Sequence, residues 1–128
     1  MNAELTNRLF DKYPKIFEGK DKGIRESLIA FGCEHGDGWY WLIDNLCESL
    51  QATTDNRTPP HPQVVATQVK EKFGSLRFYV GGATDGQYGM IEVAENMSYH
   101  ICEVCGSTDD VTQSSGGWVF TRCKGCRQ

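Results

Sequence analysis

Four cysteines near the C-terminus constrain this chain more than any other feature. Cys102 and Cys105 form one C-x2-C pair, Cys123 and Cys126 form a second, and seventeen residues separate the two pairs. Two thiolates three positions apart can turn back onto one ion in a tight knuckle. A second knuckle completes a tetrahedron with Zn–S bonds of about 2.3 Å. Gly106, just after the first pair, and Gly125, inside the second, are placed to supply the left-handed backbone that such turns use. The spacing predicts one Zn²⁺ held by Cys102, Cys105, Cys123 and Cys126. A catalytic zinc keeps a position open for water, whereas four thiolates close the shell, so the ion is expected to be structural. An iron or iron–sulfur occupant is the alternative, since four thiolates also hold clusters.

A chain of 128 residues buries roughly two-thirds of its unfolded surface, enough for a core. Its 39% apolar and 23% charged content is that of a soluble globular domain. No apolar run approaches the roughly 18 residues of a membrane-spanning helix. Met1 to Lys15 mixes Glu4, Arg8, Asp11 and Lys12 into its apolar residues, unlike a secretory signal. Six cysteines could make a secreted disulfide framework, but four of them in C-x2-C pairs without a signal point to metal and a reducing cytoplasm. The formal net charge of −4 becomes about −6 with four thiolates and one Zn²⁺. Such a body disfavours nucleic acid unless its basic residues gather on one face. It suits a basic protein surface better.

Along the chain, Leu5, Leu9 and Tyr13 share a helical face that Pro14 ends. Glu18 to Arg25 reads as a loop, and the apolar run Leu28 to Cys33 as a short strand or the end of a turn, the strand being favoured. Asp37 is placed to cap the longest helix, whose stripe is Trp39, Leu42, Ile43, Leu46, Cys47 and Leu50. Asp44, Asn45, Glu48 and Gln51 fall on its other side. Ala52 to Pro62 reads as a stiff polar linker. In the next segment Val65, Thr67 and Val69 alternate with polar neighbours, as do Leu76, Phe78 and Val80, which predicts a hairpin from Val64 to Val80. A helix from Thr84 or Asp85 to Ile101 should follow, its inner face Tyr88, Ile91, Ala94 or Glu95, Met97 or Ser98, and Ile101. That helix delivers Cys102 to the metal. Thr108 to Gly117 reads as a polar excursion and Trp118 to Thr121 as a strand entering the second knuckle.

Three blocks carry a resemblance: Gly36-Asp37-Gly38-Trp39-Tyr40 with Leu42-Ile43, Gln68 to Tyr79, and Cys102 to Gly106 with Gly117-Trp118. Together they resemble a group of small phage and prophage proteins from about Gly32 onward. Members of that group vary in the last two metal ligands, whereas both are cysteine here. The resemblance implies a cytoplasmic accessory protein and transfers no catalytic residue.

Other groups compete for a role. Arg122, Lys124 and Arg127 interleave with the second cysteine pair, and Trp118 and Phe120 precede it. These could stack nucleic-acid bases; the plainer reading is that the cations offset the tetrathiolate and the aromatics shield it. Cys33 and His35 on one strand face could pair as nucleophile and base, with Cys47 or His61 nearby. Cys47 on the helix stripe is more simply a small core residue. A second metal site on Cys33, His35 and Cys47 is a weaker variant. Lys70, Glu71, Lys72 and Arg77 around Phe73 form either a contact edge or a solvated face with cross-strand charge pairs.

These readings predict an α+β fold: a small antiparallel sheet packed against two or three helices in residues 1–101, and a C-terminal zinc ribbon or knuckle pair in residues 102–128. The expected function is non-enzymatic binding of a host protein in the bacterial cytoplasm, inhibition of a defence system being one form. A zinc-dependent nucleic-acid-binding regulator and a cysteine/histidine enzyme are the alternatives. No membrane role is expected, and aromatics around Trp41 leave room for a homodimer.

Overall fold

The N-terminal helix begins where the sequence pattern puts it. In the computed structural model, which describes residues 1–127, α1 spans Ala3–Lys12. Asn2 caps it, its side-chain oxygen accepting from the Leu5 N–H at 2.8 Å. Single 3-10 turns follow at Glu18–Asp21 and Leu28–Phe31, then the two-residue strand β1, Cys33–Glu34. A further 3-10 turn, Asp37–Trp39, leads into α2, Tyr40–Asp55. The hairpin is β2, Val65–Lys72, and β3, Ser75–Gly81, followed by α3, Asp85–Ser98. Two short strands, β4 (Val111–Gln113) and β5 (Thr121–Cys123), belong to the cysteine module, which ends in a 3-10 turn at Lys124–Cys126.

The fold is α+β, as the residue pattern predicts, with one addition to the sheet. Its order is β1-β2-β3, and β2 and β3 are antiparallel, but β1 joins parallel to β2, with Cys33 opposite Val69 and Glu34 opposite Lys70. The sheet is therefore mixed, and α2 lies in the crossover between its parallel strands. β4 and β5 form a separate antiparallel pair.

Several expectations shift for local reasons. The Leu28 run is a 3-10 turn, because Ile29 alone is fully buried and Ser27 Oγ accepts from its N–H; Leu28 and Phe31 face solvent. α2 continues four residues into the expected linker, to Asp55. There Thr53 and Thr54 hydroxyls bond back to the Ser49 and Leu50 carbonyls, and Gln87 from α3 reaches Leu50 O. Asp37 does not cap α2; its carboxylate accepts from the Asn2 backbone (2.7 Å) and side chain (3.1 Å). Asp44 is buried rather than solvated, held by Lys12 Nζ at 2.9 Å and the Tyr13 hydroxyl at 2.6 Å. In β2 a bulge between Ala66 and Gln68 shifts the alternation. Ala66 and Val69 consequently face the core, while Val65 and Thr67 are only half-buried. On α3 the capping box is Thr84 with Gln87, and the inner face is Gln87, Ile91, Ala94 and Ser98. Tyr88 and Met97 are exposed.

One continuous core results. α1 and the segment after it contribute Leu9, Phe10, Ile16 and Phe17, the turn before α2 contributes Trp39, α2 contributes Ile43, Cys47 and Leu50, and the hairpin contributes Val69, Leu76 and Phe78. Helix α3 lies along both α2 and β3. At the outer edge of β3 it supplies the missing acceptors: Leu76 N–H donates to Ser98 Oγ and Phe78 N–H to Glu95 Oε2, each at 2.9 Å. That edge is thus occupied by side chains and closed to an added strand. Ser98 is fully buried, so Ser98→Ala should strand the Leu76 N–H and cost about 1–3 kcal/mol. Urea unfolding should show the loss as a lower midpoint with an unchanged slope.

Candidate metal centre

The first cysteine pair sits just beyond α3, and the structure holds it against the Gly36–Trp39 turn through backbone contacts. Gly38 N–H donates to Glu103 O at 2.7 Å, Gly36 N–H to Glu103 Oε1 at 2.9 Å, and Trp39 Nε1–H to Ile101 O at 2.9 Å. The approach is too close for side chains. A Cβ on Gly38 would lie 2.1 Å from Cys102 O and 2.6 Å from Gly106 N, and one on Gly36 2.3 Å from Glu103 O. The second pair is docked on the hairpin tip, where Thr121 Oγ1 donates to Gly74 O. Glu103 N–H to Thr121 O, at 3.0 Å, ties the two halves of the module together.

This scaffold gathers the four predicted ligands. The Sγ atoms of Cys102, Cys105, Cys123 and Cys126 all lie within 4.8 Å of one another, and all four are free thiols. Cys105 and Cys123 are 3.6 Å apart, close to the roughly 3.8 Å edge of a tetrahedron with 2.3 Å metal–sulfur bonds. Cys102 and Cys123 are buried, Cys105 is exposed and Cys126 half-buried, so a bound ion would sit at the rim of the module. Burial disfavours a thiolate at Cys102, but the backbone N–H groups of Cys123, Cys105 and Val104 outweigh it and bring the thiol down to about 6. The set can hold a metal ion, and N–H groups directed at sulfur favour the ligating form. Gly106 has φ +80°, as expected of the first knuckle; Gly125 has no left-handed φ, because the second knuckle closes as a 3-10 turn.

The strand before the second pair lies later than its apolar residues suggest, at Thr121–Cys123 instead of Trp118–Thr121, and its partner β4 comes from the expected polar excursion. Trp118 is 70% exposed and Phe120 36%, so these aromatics do not shield the sulfurs. Arg122 lies over the Phe120 ring at 4.2 Å, and Arg127 pairs with Asp110 at 3.0 Å.

The cysteine/histidine constellation is not assembled as a reactive pair. Cys33, His35 and Cys47 are all buried. Burial pushes the Cys33 thiol up to about 12 and raises Cys47 as well, and no hydrogen bond joins Cys33 to His35 among the described residues. His61 lies on the proline-rich loop with Nδ1 3.0 Å from Pro62 O. His35 Nδ1 is 2.8 Å from Gly36 O, its ring is 5.7 Å from that of Trp39, and Nε2 is buried without a partner.

The role of Gly36 and Gly38 is the part of the site that the sequence reading missed. Both glycines are legible in the sequence only as part of the Gly36–Tyr40 block; the signal for their true use is their flanking of a single residue immediately before a buried Trp. Comparison with known proteins finds no family model, no curated protein and no solved structure that matches this chain.

Two outcomes test this geometry. Gly38→Ala should cost about 3 kcal/mol or more, since backbone must move on both sides, whereas Gly23→Ala, with nothing within 4 Å, should be near neutral. Urea unfolding compares them. Burial lowers the His35 imidazole from 6.5 to about 4, against the opposing effects of the Gly36 carbonyl and Asp37, with the Met1 ammonium adding to the depression. The unfolded chain therefore takes up that proton first, and stability present above pH 6.5 is lost as pH falls toward 4. The loss is about 3 kcal/mol, and His35→Gln should lack it when unfolding is compared at the two ends of that window.

Proposed function

We propose that the four cysteines hold one structural Zn²⁺ and that the protein is a non-enzymatic docking protein for a protein partner. The observation that carries the first half is the closed four-thiol cluster, which leaves no ligand position for water. The burial of Cys33, His35 and Cys47 supports the non-enzymatic reading. Four reduced thiolates suit a reducing compartment, which in this reading is the bacterial cytoplasm.

The partner reading rests on the face made by α2 and α3. Between them runs a groove of about 410 Å³ lined by Leu42, Leu46, Met90, Val93, Ala94 and Met97. Val93 is 57% and Met97 48% exposed. Methionine-lined grooves between helices accept apolar anchors at helical spacing from a partner helix. The charged residues of α2 and α3 are all acidic; Asp44 is taken by Lys12 and Tyr13 and Glu95 by the Phe78 N–H, which leaves Glu48, Asp55, Asp85 and Glu92 facing solvent. A basic amphipathic helix is the complementary occupant. With the resemblance to phage proteins, that helix would belong to a host protein, and inhibition of a defence complex is the form of the activity we propose.

Purified protein should carry one zinc per chain by elemental analysis, and Cys123→Ser should lose it. A structural zinc contributes on the order of 10 kcal/mol, so chelation should unfold at least the region after Ile101. A metal-free protein of unchanged stability would overturn the first half. A labelled basic amphipathic peptide should bind the wild type, and Val93→Glu or Met97→Glu should weaken it at least ten-fold without changing zinc content. Equal binding by those variants would overturn the groove.

A further inference from the structure

The charge of this protein is not spread evenly. Residues 64–81 and 111–127 hold six of its 13 basic residues and one of its 17 acidic ones. The structure places these segments side by side, with Gly74 at the hairpin tip against Val119 and Thr121 of the cysteine module. Glu103, Asp109 and Asp110 of the module, with the two net negative charges of a zinc tetrathiolate, balance these cations in sum, so what marks this end of the molecule is a local cluster of cations on an otherwise acidic body.

The cations at this end are not engaged in the ion pairs expected of a solvated strand face. Lys70 stands directly opposite Arg77 in the hairpin register, a like-charge pair that costs stability, and Lys72 is two residues from Lys70 on the same face. Lys70, Lys72, Arg77, Arg122 and Lys124 make no salt bridge among the described residues. Arg127 is the exception, held by Asp110.

Between these cations lies a row of aromatic rings. Phe73 at the hairpin tip is 69% exposed, Trp118 70% and Phe120 36%. Phe73 and Trp118 face a shared cleft of about 310 Å³, and Trp118 and Phe120 have ring centroids 6.5 Å apart. Lys72 Nζ lies 5.7 Å from the Phe73 ring centre and the Arg122 guanidinium 4.2 Å from that of Phe120. Of the acidic residues here, Glu71 is occupied by the Gly74 N–H, Glu103 by the Gly36 N–H and Asp110 by Arg127. Phe73 also holds a left-handed backbone, φ +53°, at a position in the two-residue turn where Asn would be comfortable. That strain costs about 1 kcal/mol, and the ring gains no burial in exchange.

We propose that the Phe73–Trp118–Phe120 ridge is a binding platform for single-stranded nucleic acid, with bases stacked on the rings and phosphates met by Lys70, Lys72, Arg77, Arg122 and Lys124. Successive rings with flanking cations are what a flexible strand needs: every base has a face to stack, and the backbone supplies the complementary charge. A duplex hides those faces and is the poorer ligand. The ridge is distinct from the α2–α3 groove and is flanked by cations where the groove is not, so one can fail without the other.

The test uses the zinc-loaded protein and fluorescein-labelled oligothymidine and oligouridine, read by anisotropy. Both strands should bind, with affinity falling on a log–log salt plot at a slope of about −3.5, from roughly 0.7 for each phosphate met by the five cations. Trp118→Ala should weaken binding roughly ten-fold or more, while Val93→Glu should not change it. Phe73→Asn is the sharper variant: it should raise resistance to urea by relaxing the turn, yet weaken binding by a similar factor. No binding at low salt, duplex bound as tightly as single strand, or full affinity in Trp118→Ala and Phe73→Asn would each overturn the proposal. A preference for one of the two strands would assign the ridge to DNA or RNA.

Discussion

Everything C-terminal to α3 depends on a contact between two pieces of backbone. The Gly36–Gly38 turn and the first cysteine knuckle approach so closely that neither glycine could carry a Cβ, and the Gly38 N–H to Glu103 carbonyl bond lies in the middle of that contact. A knuckle of this size has no core of its own. It takes its orientation from the same turn that starts α2, with the Trp39 indole buried beneath and bonded to the Ile101 carbonyl. One turn thus sets both the direction of the longest helix and the position of two metal ligands. The Glu103 N–H to Thr121 carbonyl bond carries that position across to β5 and the hairpin tip, and an ion on the four thiols would reinforce it.

The parts of this arrangement legible in the sequence were those with a fixed period or spacing. The cysteine pairs, the apolar stripe of α2 and the hairpin all have local signatures, and each is where its pattern puts it. What was not legible depends on partners distant in the chain. Asp37 looks like a helix cap until Asn2, 35 residues away, claims its carboxylate. Asp44 reads as solvated until Lys12 and Tyr13 close over it. Strand β1 exists as a strand only because the middle of β2 offers it a parallel partner. The bulge in β2 displaces the inward positions by one without leaving a mark in composition.

Net charge misleads for the same reason. Summed over the chain it is −4, which argues against polyanions. Fold topology sorts the charges instead of averaging them: the charged residues of the two groove helices are all acidic, while the hairpin and the cysteine module meet with Lys70, Lys72, Arg77, Arg122 and Lys124 in no salt bridge among the described residues. Neither grouping is visible along the sequence, where basic and acidic residues alternate through much of the N-terminal half. The two faces have different ligand chemistry, one apolar and acid-flanked, the other aromatic and basic.

The cysteine cluster and the ridge are physically one system. Trp118 and Phe120 belong to the loop between the two cysteine pairs, whereas Phe73 belongs to the hairpin, and only docking of the cysteine module on Gly74 brings them together. An ion closing the four thiols would therefore fix the separation of three exposed rings without touching any of them. This is a role that a structural metal can play and a catalytic one need not. It also explains why the rings sit on short, irregular elements that would not hold their relative positions alone. The strained Phe73 backbone fits the same scheme, since a turn selected for stability alone would place Asn before Gly74.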